Sequence, residues 1–410
     1  MAYQETTTKN YGQRLSGSLK GIGSGLIMFL VGTILLFWNE GNFVKTKKSI
    51  NEAQSVVVKV NDVNSLDSDL NGKLIYGIAK AQTEDILRDD LFDVSVNAVK
   101  LSRKVEYYQW KESSKSETRD KIGGGQETVT TYTYKKEWVS SPINSANFKD
   151  AEYKSANTAI TDIESKSVVA DHVTWGAYEL PSFLKSAVSG TTPAVIELSE
   201  ISKADWEKTL QSSATNSDIG TQYLHVSNNT AYFGANPSSP AVGDIRATIS
   251  YTPPGGDLSV IAQVQGNTFT KYTAKNGKEF SSAQNGVVSA EQMFEGEHSS
   301  NSMWTWILRL IGLFLVIGGL KSMFSILPAL FKVLPFLGKI VGAGVGLVCS
   351  VFGFVWTLVI VAIAWLFYRP LIAILFLAVA GAGIWYLKKK AAEKKQQAET
   401  APPIQAENGQ

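Results

Sequence analysis

Residues 303–387 contain no Asp, Glu, Asn, Gln or His, although hydrophobic residue types make up only 44% of the 410-residue chain. A block of that length with no carboxylate or amide has no polar face to offer water, so it reads as embedded in lipid. Residues 303–320, 340–367 and 371–387 each suit a membrane helix. The last stands at the short end of the roughly 17–25 residues that span a bilayer, and Lys388, Lys389 and Lys390 beyond it can snorkel to the headgroups. Tyr368-Arg369-Pro370 separates the last two helices, because proline disfavours helix at the residue before it. Residues 322–339, broken by Pro328 and Pro335, read as an interfacial basic segment rather than a span.

A fourth apolar run, residues 19–38, is about 20 residues long and matches a hydrocarbon core of about 30 Å. It follows a polar tail, residues 1–18, that lacks the pattern of a removable signal peptide. Residues 41–302 are polar and rich in strand signals. The stretches 93–110 and 128–139 alternate around Gly123-Gly124-Gly125 and predict a long hairpin, while 244–252 and 258–273 flank the breaker Pro253-Pro254-Gly255-Gly256. Residues 203–211 predict a short helix. The one cysteine, Cys349, lies in an apolar run, so no internal disulfide is expected. The expected fold class is therefore an α+β membrane protein: four transmembrane helices, one N-terminal and three C-terminal, plus a large β-rich domain.

Short basic loops orient such a chain. Lys321, Lys332 and Lys339 occupy one loop and Lys388, Lys389 and Lys390 open the tail 388–410, which places both on the cytoplasmic side. Four crossings then put both termini in the cytoplasm and the domain outside it, periplasmic in a bacterial inner membrane or lumenal in a eukaryotic endoplasmic reticulum or inner nuclear membrane. A net charge of +2 predicts no nucleic-acid partner.

Gly338, Gly342, Gly346 and Ser350 recur at every fourth position and form a smooth ridge on the third helix, with Gly21 and Gly25 a smaller case on the first. Such ridges pack either against another helix of the same chain or between copies. Arg309 and Arg369 lie near the same membrane face, where they snorkel or hold a lipid phosphate or an acid of the polar domain; the acid-free block offers neither a carboxylate. Trp304 and Trp306 suit the headgroup region, and Lys321, Lys332, Lys339 and the Lys388–390 run face anionic lipid. Asp67-Ser68-Asp69-Leu70-Asn71-Gly72 imitates half a calcium loop, but its twelfth position is Ile78, so a polar turn before a strand is expected instead. His172, His225 and His298 show no metal spacing. No catalytic residue, metal site or cofactor is expected. Asn228-Asn229-Thr230 fits the glycosylation triplet.

Several stretches resemble the LUMA family of four-pass membrane proteins, known from animals and bacteria. They are Leu36-Phe37-Trp38-Asn39-Glu40-Gly41 with Val44-Lys45-Thr46; Glu106-Tyr107-Tyr108-Gln109-Trp110; Tyr132-Thr133-Tyr134 with Lys136-Glu137-Trp138; Ile143-Asn144-Ser145; Val242-Gly243-Asp244-Ile245-Arg246; Asn301-Ser302-Met303 with Trp306 and Arg309; and Trp365-Leu366-Phe367-Tyr368-Arg369-Pro370. The resemblance spans nearly the whole chain. It implies a lumenal domain, self-association, and in animals a role in organising the nuclear envelope with lamina and emerin; it supplies no catalytic residues. The function expected is a non-enzymatic membrane scaffold whose partners are membrane lipids, further copies of itself and membrane or envelope proteins. Two other classes stay open: an ion channel or transporter, and a lipid- or envelope-modifying enzyme.

Overall fold

A computed structural model describes residues 2–213 and 223–370. The principal strands are β1 (Ala2–Lys9), β2 (Leu74–Gln82), β3 (Lys100–Asp120), β4 (Gln126–Val139), β5 (Leu224–Ser227), β6 (Thr230–Phe233), β7 (Ile245–Thr252), β8 (Asp257–Gln265), β9 (Thr268–Thr270) and β10 (Ser282–Asn285). The principal helices are α1 (Tyr11–Val56), α2 (Glu200–Ser213), α3 (Ala290–Met323), α4 (Ile326–Phe331) and α5 (Pro335–Tyr368). The described chain forms two compact units. The first comprises residues 2–14, 48–300 and 332–335; the second comprises 15–47, 301–331 and 336–370.

In the first unit, period-two burial makes the larger sheet. Leu101, Arg103, Val105, Tyr107 and Gln109 turn inward along β3, and Ile245, Ala247 and Ile249 do so along β7. The sheet runs β1-β4-β3-β7-β6-β5, antiparallel along that path. Arg103 can sit inside because Asp89 receives its Nη1 at 2.6 and 2.8 Å and the Glu164 carbonyl receives its Nε at 3.0 Å. In the second sheet β8 pairs with β2, β9 and β10 and is buried on both faces. Leu258, Val260, Ala262 and Val264 join the main core, while Ile261 meets Ile50, Ala53, Met293 and Phe294 from the ends of α1 and α3. A strand covered on both sides loses its alternation, which is why Val260, Ile261 and Ala262 follow one another in β8.

The predicted hairpin is present as β3 and β4, and the short helix as α2. The stretch 93–110 divides, with Asp93 at φ 53° before Val94–Asn97 and a separate start at Lys100. Asp67 caps a turn, its Oδ1 accepting the Asp69 N–H at 2.8 Å, and Gly72 at φ 78° leads into β2. That geometry is the turn before a strand, not half a calcium loop.

The second unit contains three helices long and apolar enough to cross a membrane, α1, α3 and α5. The expected run 19–38 lies inside α1, which continues well past Trp38, and the run 340–367 lies inside α5, which starts at Pro335. The expected interfacial segment becomes the end of α3, the short α4 and the first turn of α5. The fourth expected helix, 371–387, and Lys388, Lys389 and Lys390 lie outside the described residues.

Candidate functional site

Glycine sets how closely the membrane helices approach. A Cβ on Gly319 of α3 would stand 2.6 Å from the Phe29 nitrogen and 2.7 Å from the Gly25 carbonyl of α1. Gly25 would meet the Gly319 carbonyl and Met323 nitrogen equally closely, and Gly32 meets Leu315 and Gly312. Contact between backbones is what small residues allow in lipid. Hydrogen bonds accompany it: Ser322 Oγ donates to the Gly21 carbonyl at 2.8 Å, and Trp356 Nε1 donates to Thr33 Oγ1 at 3.1 Å. Leu36, Val316, Leu320, Cys349 and Ile360 fill the interior.

At one end of these helices a polar cluster closes. Because α1 remains helical through Asn39-Glu40-Gly41, those residues stay inside the packing, and Glu40 is fully buried. Arg309 Nε donates to Glu40 Oε1 at 2.6 Å, and Trp365 Nε1 donates to Oε2 at 2.9 Å. Asn39 Nδ2 donates to the Thr305 carbonyl at 3.0 Å; Asn301 Nδ2 donates to the Phe43 carbonyl at 3.2 Å. Arg309 lies over the Trp306 ring at 4.7 Å, and Arg369 over Phe43 at 4.6 Å. Gly41 leaves room for the Tyr368 ring. Three helices thus converge on one carboxylate whose two oxygens each receive a donor.

Arg309 was expected to have no carboxylate partner within the membrane segments, and Glu40 overturns that. The block 303–387 supplies no carboxylate; the acid lies on α1, two residues past the point where hydropathy ends the helix. Glu40 was visible as part of a motif, and no proline between Trp38 and Val56 stops the helix; those two signals together would have found it.

The remaining predicted residues fall as follows. Gly21 and Gly25 face α3. Gly338 is buried, a Cβ on Gly342 would meet Pro328 at 3.5 Å, and one on Gly346 would meet nothing within 4 Å among the described residues. Ser350 Oγ donates back to the Gly346 carbonyl at 2.7 Å. Trp304, Trp306, Lys321 and Lys339 are exposed, and Lys332 is half-buried. A cavity of about 580 Å³ with apolar lining, including Leu26, Phe29, Met323, Val348 and Phe352, offers room to hydrocarbon. Among the described residues no group of His, Cys, Asp and Glu is arranged to hold a metal.

A second cluster gathers other motif residues within the β-rich unit. Arg246 on β7 donates from Nε to Glu106 on β3 at 2.8 Å and lies over the Trp138 ring of β4 at 4.3 Å. Burial alone would raise the Glu106 carboxyl, but hydrogen bonds from Lys104 and Arg246 outweigh it and hold the group below its ordinary range. Tyr232 is pushed upward by burial and by its hydrogen bond to Asp244. Near the far side of β4, burial and the Glu112 carboxylate push Tyr134 up to about 12.

Apolar helices sealed by a buried ion pair, in a chain that also builds a large β-rich unit, define a multipass integral membrane protein. No solved structure matches the chain. Residues 107–370 match the family described as Transmembrane protein 43. Human transmembrane protein 43 is 33% identical over 395 residues, covering 93% of both chains, and the mouse protein is 33% identical over 394. The Drosophila melanogaster homologue is 28% identical over 376 residues, 89% of this chain and 93% of its own. The chain belongs to the transmembrane protein 43 family, which is the LUMA family its motifs resemble.

Proposed function

We propose that the protein is a non-enzymatic membrane scaffold that associates with itself and holds membrane proteins and lipid around it. The observation that carries this reading is the Glu40 cluster. An acid inside a membrane bundle ordinarily marks an ion path, a proton relay or a reactive centre. Here both carboxylate oxygens are engaged by Arg309 and Trp365, so the polar residues fasten helices together instead of facing a substrate. The exposed Trp304 and Trp306 and the cations Lys321 and Lys339 suit binding at the headgroups. In a bacterial inner membrane the β-rich unit would face the periplasm. In a eukaryotic cell it would face the lumen of the endoplasmic reticulum or inner nuclear membrane, with lamina- and emerin-type proteins as partners.

Extraction into native nanodiscs followed by mass measurement tests the proposal. Assemblies of two or more copies carrying co-purified anionic lipid are expected. A population of single copies, or conductance by the purified protein in planar bilayers, would remove the scaffold reading.

A further inference from the structure

The apolar cavity lies wholly within the second unit. Phe29, Leu320, Val345 and Cys349 line it with buried or half-buried side chains, whereas its other lining residues Val348 and Phe352 are exposed. It therefore opens sideways from the helices and is not a sealed void. Its volume of about 580 Å³ falls within the roughly 300–1,000 Å³ of small-molecule sites. Water gains nothing there, because a cavity with no polar partners stays dry. Left empty, it forfeits the dispersion contacts of the atoms that line it, and hydrocarbon restores them. Beside helices that cross a bilayer, the hydrocarbon at hand is an acyl chain.

Charge selects which lipid. Lys20 of α1, Lys321 of α3 and Lys339 of α5 are exposed and gather at one end of the same helices. Ser322, next to Lys321, donates its Oγ to the carbonyl of Gly21, next to Lys20, at 2.8 Å. The helix α5 runs antiparallel to α3: a Cβ on Gly353 would stand 2.7 Å from Ile317, and one on Gly342, near Lys339, would meet Pro328 of α4 at 3.5 Å. Among the described residues of this unit Glu40 is the only acid; it lies about 30 Å from Lys20 along α1 and is taken by Arg309. The three lysines therefore have no acid of their own unit to pair with.

We propose that the second unit holds one anionic diacyl phospholipid, with an acyl chain in the cavity and its phosphate among Lys20, Lys321 and Lys339. The spacing suits such a ligand. Lys321 follows the lining residue Leu320 directly, Lys20 precedes Leu26 by about 9 Å of helix and Lys339 precedes Gly344 by about 8 Å. A phosphate joined through glycerol to its acyl carbons spans a distance of that order. The expected helix 371–387, outside the described residues, is a poorer occupant: it would measure about 26 Å, while Gly344 stands about 36 Å from Tyr368 along α5. This site rests on the scaffold reading only in that it holds lipid, and it needs no second copy.

Native mass spectrometry of the full chain tests the proposal, with the protein released from nanodiscs of phosphatidylglycerol and phosphatidylcholine in equal parts. As detergent strips the outer lipid, one phosphatidylglycerol should stay with each copy. Gly344→Leu fills the cavity from a position where a Cβ meets nothing within 4 Å, so it should lose that lipid while the thermal midpoint stays unchanged. Lys20→Gln, Lys321→Gln and Lys339→Gln together alter only exposed side chains, and should leave a lipid in place without preference for phosphatidylglycerol. Native protein that sheds all phospholipid, Gly344→Leu protein that keeps it, or a lysine variant with undiminished preference overturns the site. So does a disulfide between the native Cys349 and Leu387→Cys, which would put the chain's own tail in the cavity. Single copies that keep their phosphatidylglycerol would support the site while removing self-association; assemblies that keep none would do the reverse.

Discussion

The protein builds the same device twice, in two solvents. In the β-rich unit Arg246 pairs with Glu106 at 2.8 Å over Trp138, its side chain 37% exposed; among the membrane helices Arg309 pairs with Glu40 at 2.6 Å over Trp306, and Glu40 has no exposure. Water reaches Arg246, and Glu106 keeps Lys104 as a second partner at 2.9 Å, so losing one member of the first pair costs less. Left behind in the second surroundings, the fully buried Glu40 carboxylate would keep the Trp365 N–H but lose the Arg309 donor, and half a pair is worse there than none. The difference teaches that the membrane pair acts as a lock through the penalty for opening it.

The largest expected effect separates the two. Arg309→Ala should destabilise by about 3–5 kcal/mol, seen as a fall in the thermal midpoint of the detergent-solubilised protein by tryptophan fluorescence. Replacing both partners, Glu40→Gln with Arg309→Met, should restore much of that loss, because no bare carboxylate remains. A double variant as unstable as the single would break the comparison.

Glycine contacts sharpen it within the helices. Gly319→Ala forces a methyl against the Phe29 and Gly25 backbone and should cost about 1–3 kcal/mol, as overpacking does. Gly346→Ala, with open space around its Cβ among the described residues, should leave the same midpoint unmoved.

Smallest are the changes in the sheet. Glu106→Gln should cost less than about 1 kcal/mol in the same melt, and added salt should shrink the difference, whereas salt should leave the Arg309→Ala effect intact. Because the folded Glu106 carboxyl lies below its ordinary range, its contribution is present above the unfolded carboxylate pKa and disappears as pH falls through the lowered one. A series of melts on the acid side should therefore show a shallower pH dependence for Glu106→Gln than for the native chain.

Much of the fold was legible locally. Apolar runs marked α1, α3 and α5, and alternating Val, Thr and Tyr around three glycines marked the β3–β4 hairpin. The end of α1 was not legible from hydropathy, since Glu40, Lys45 and Lys48 are polar yet continue the helix. The pairing of β1 was hidden for another reason. Ala2–Lys9 carries no apolar alternation, and only the free edge of β4 gives it a partner. Of the candidate site, Arg309 and the tryptophans stood out by their types, while Asn39, Glu40 and Thr305 took on meaning only once α1 and α3 were placed together.

Hydrophobic length and period-two alternation are local properties of neighbouring residues, so the amino-acid order alone shows that this chain enters lipid and carries a large strand-rich unit. That Glu40 is the carboxylate of Arg309, and that residues 2–9 complete a sheet with the hairpin, follows from the packing of the folded chain. Those pairings join residues more than a hundred positions apart, and packing, not proximity along the chain, selects which polar groups meet.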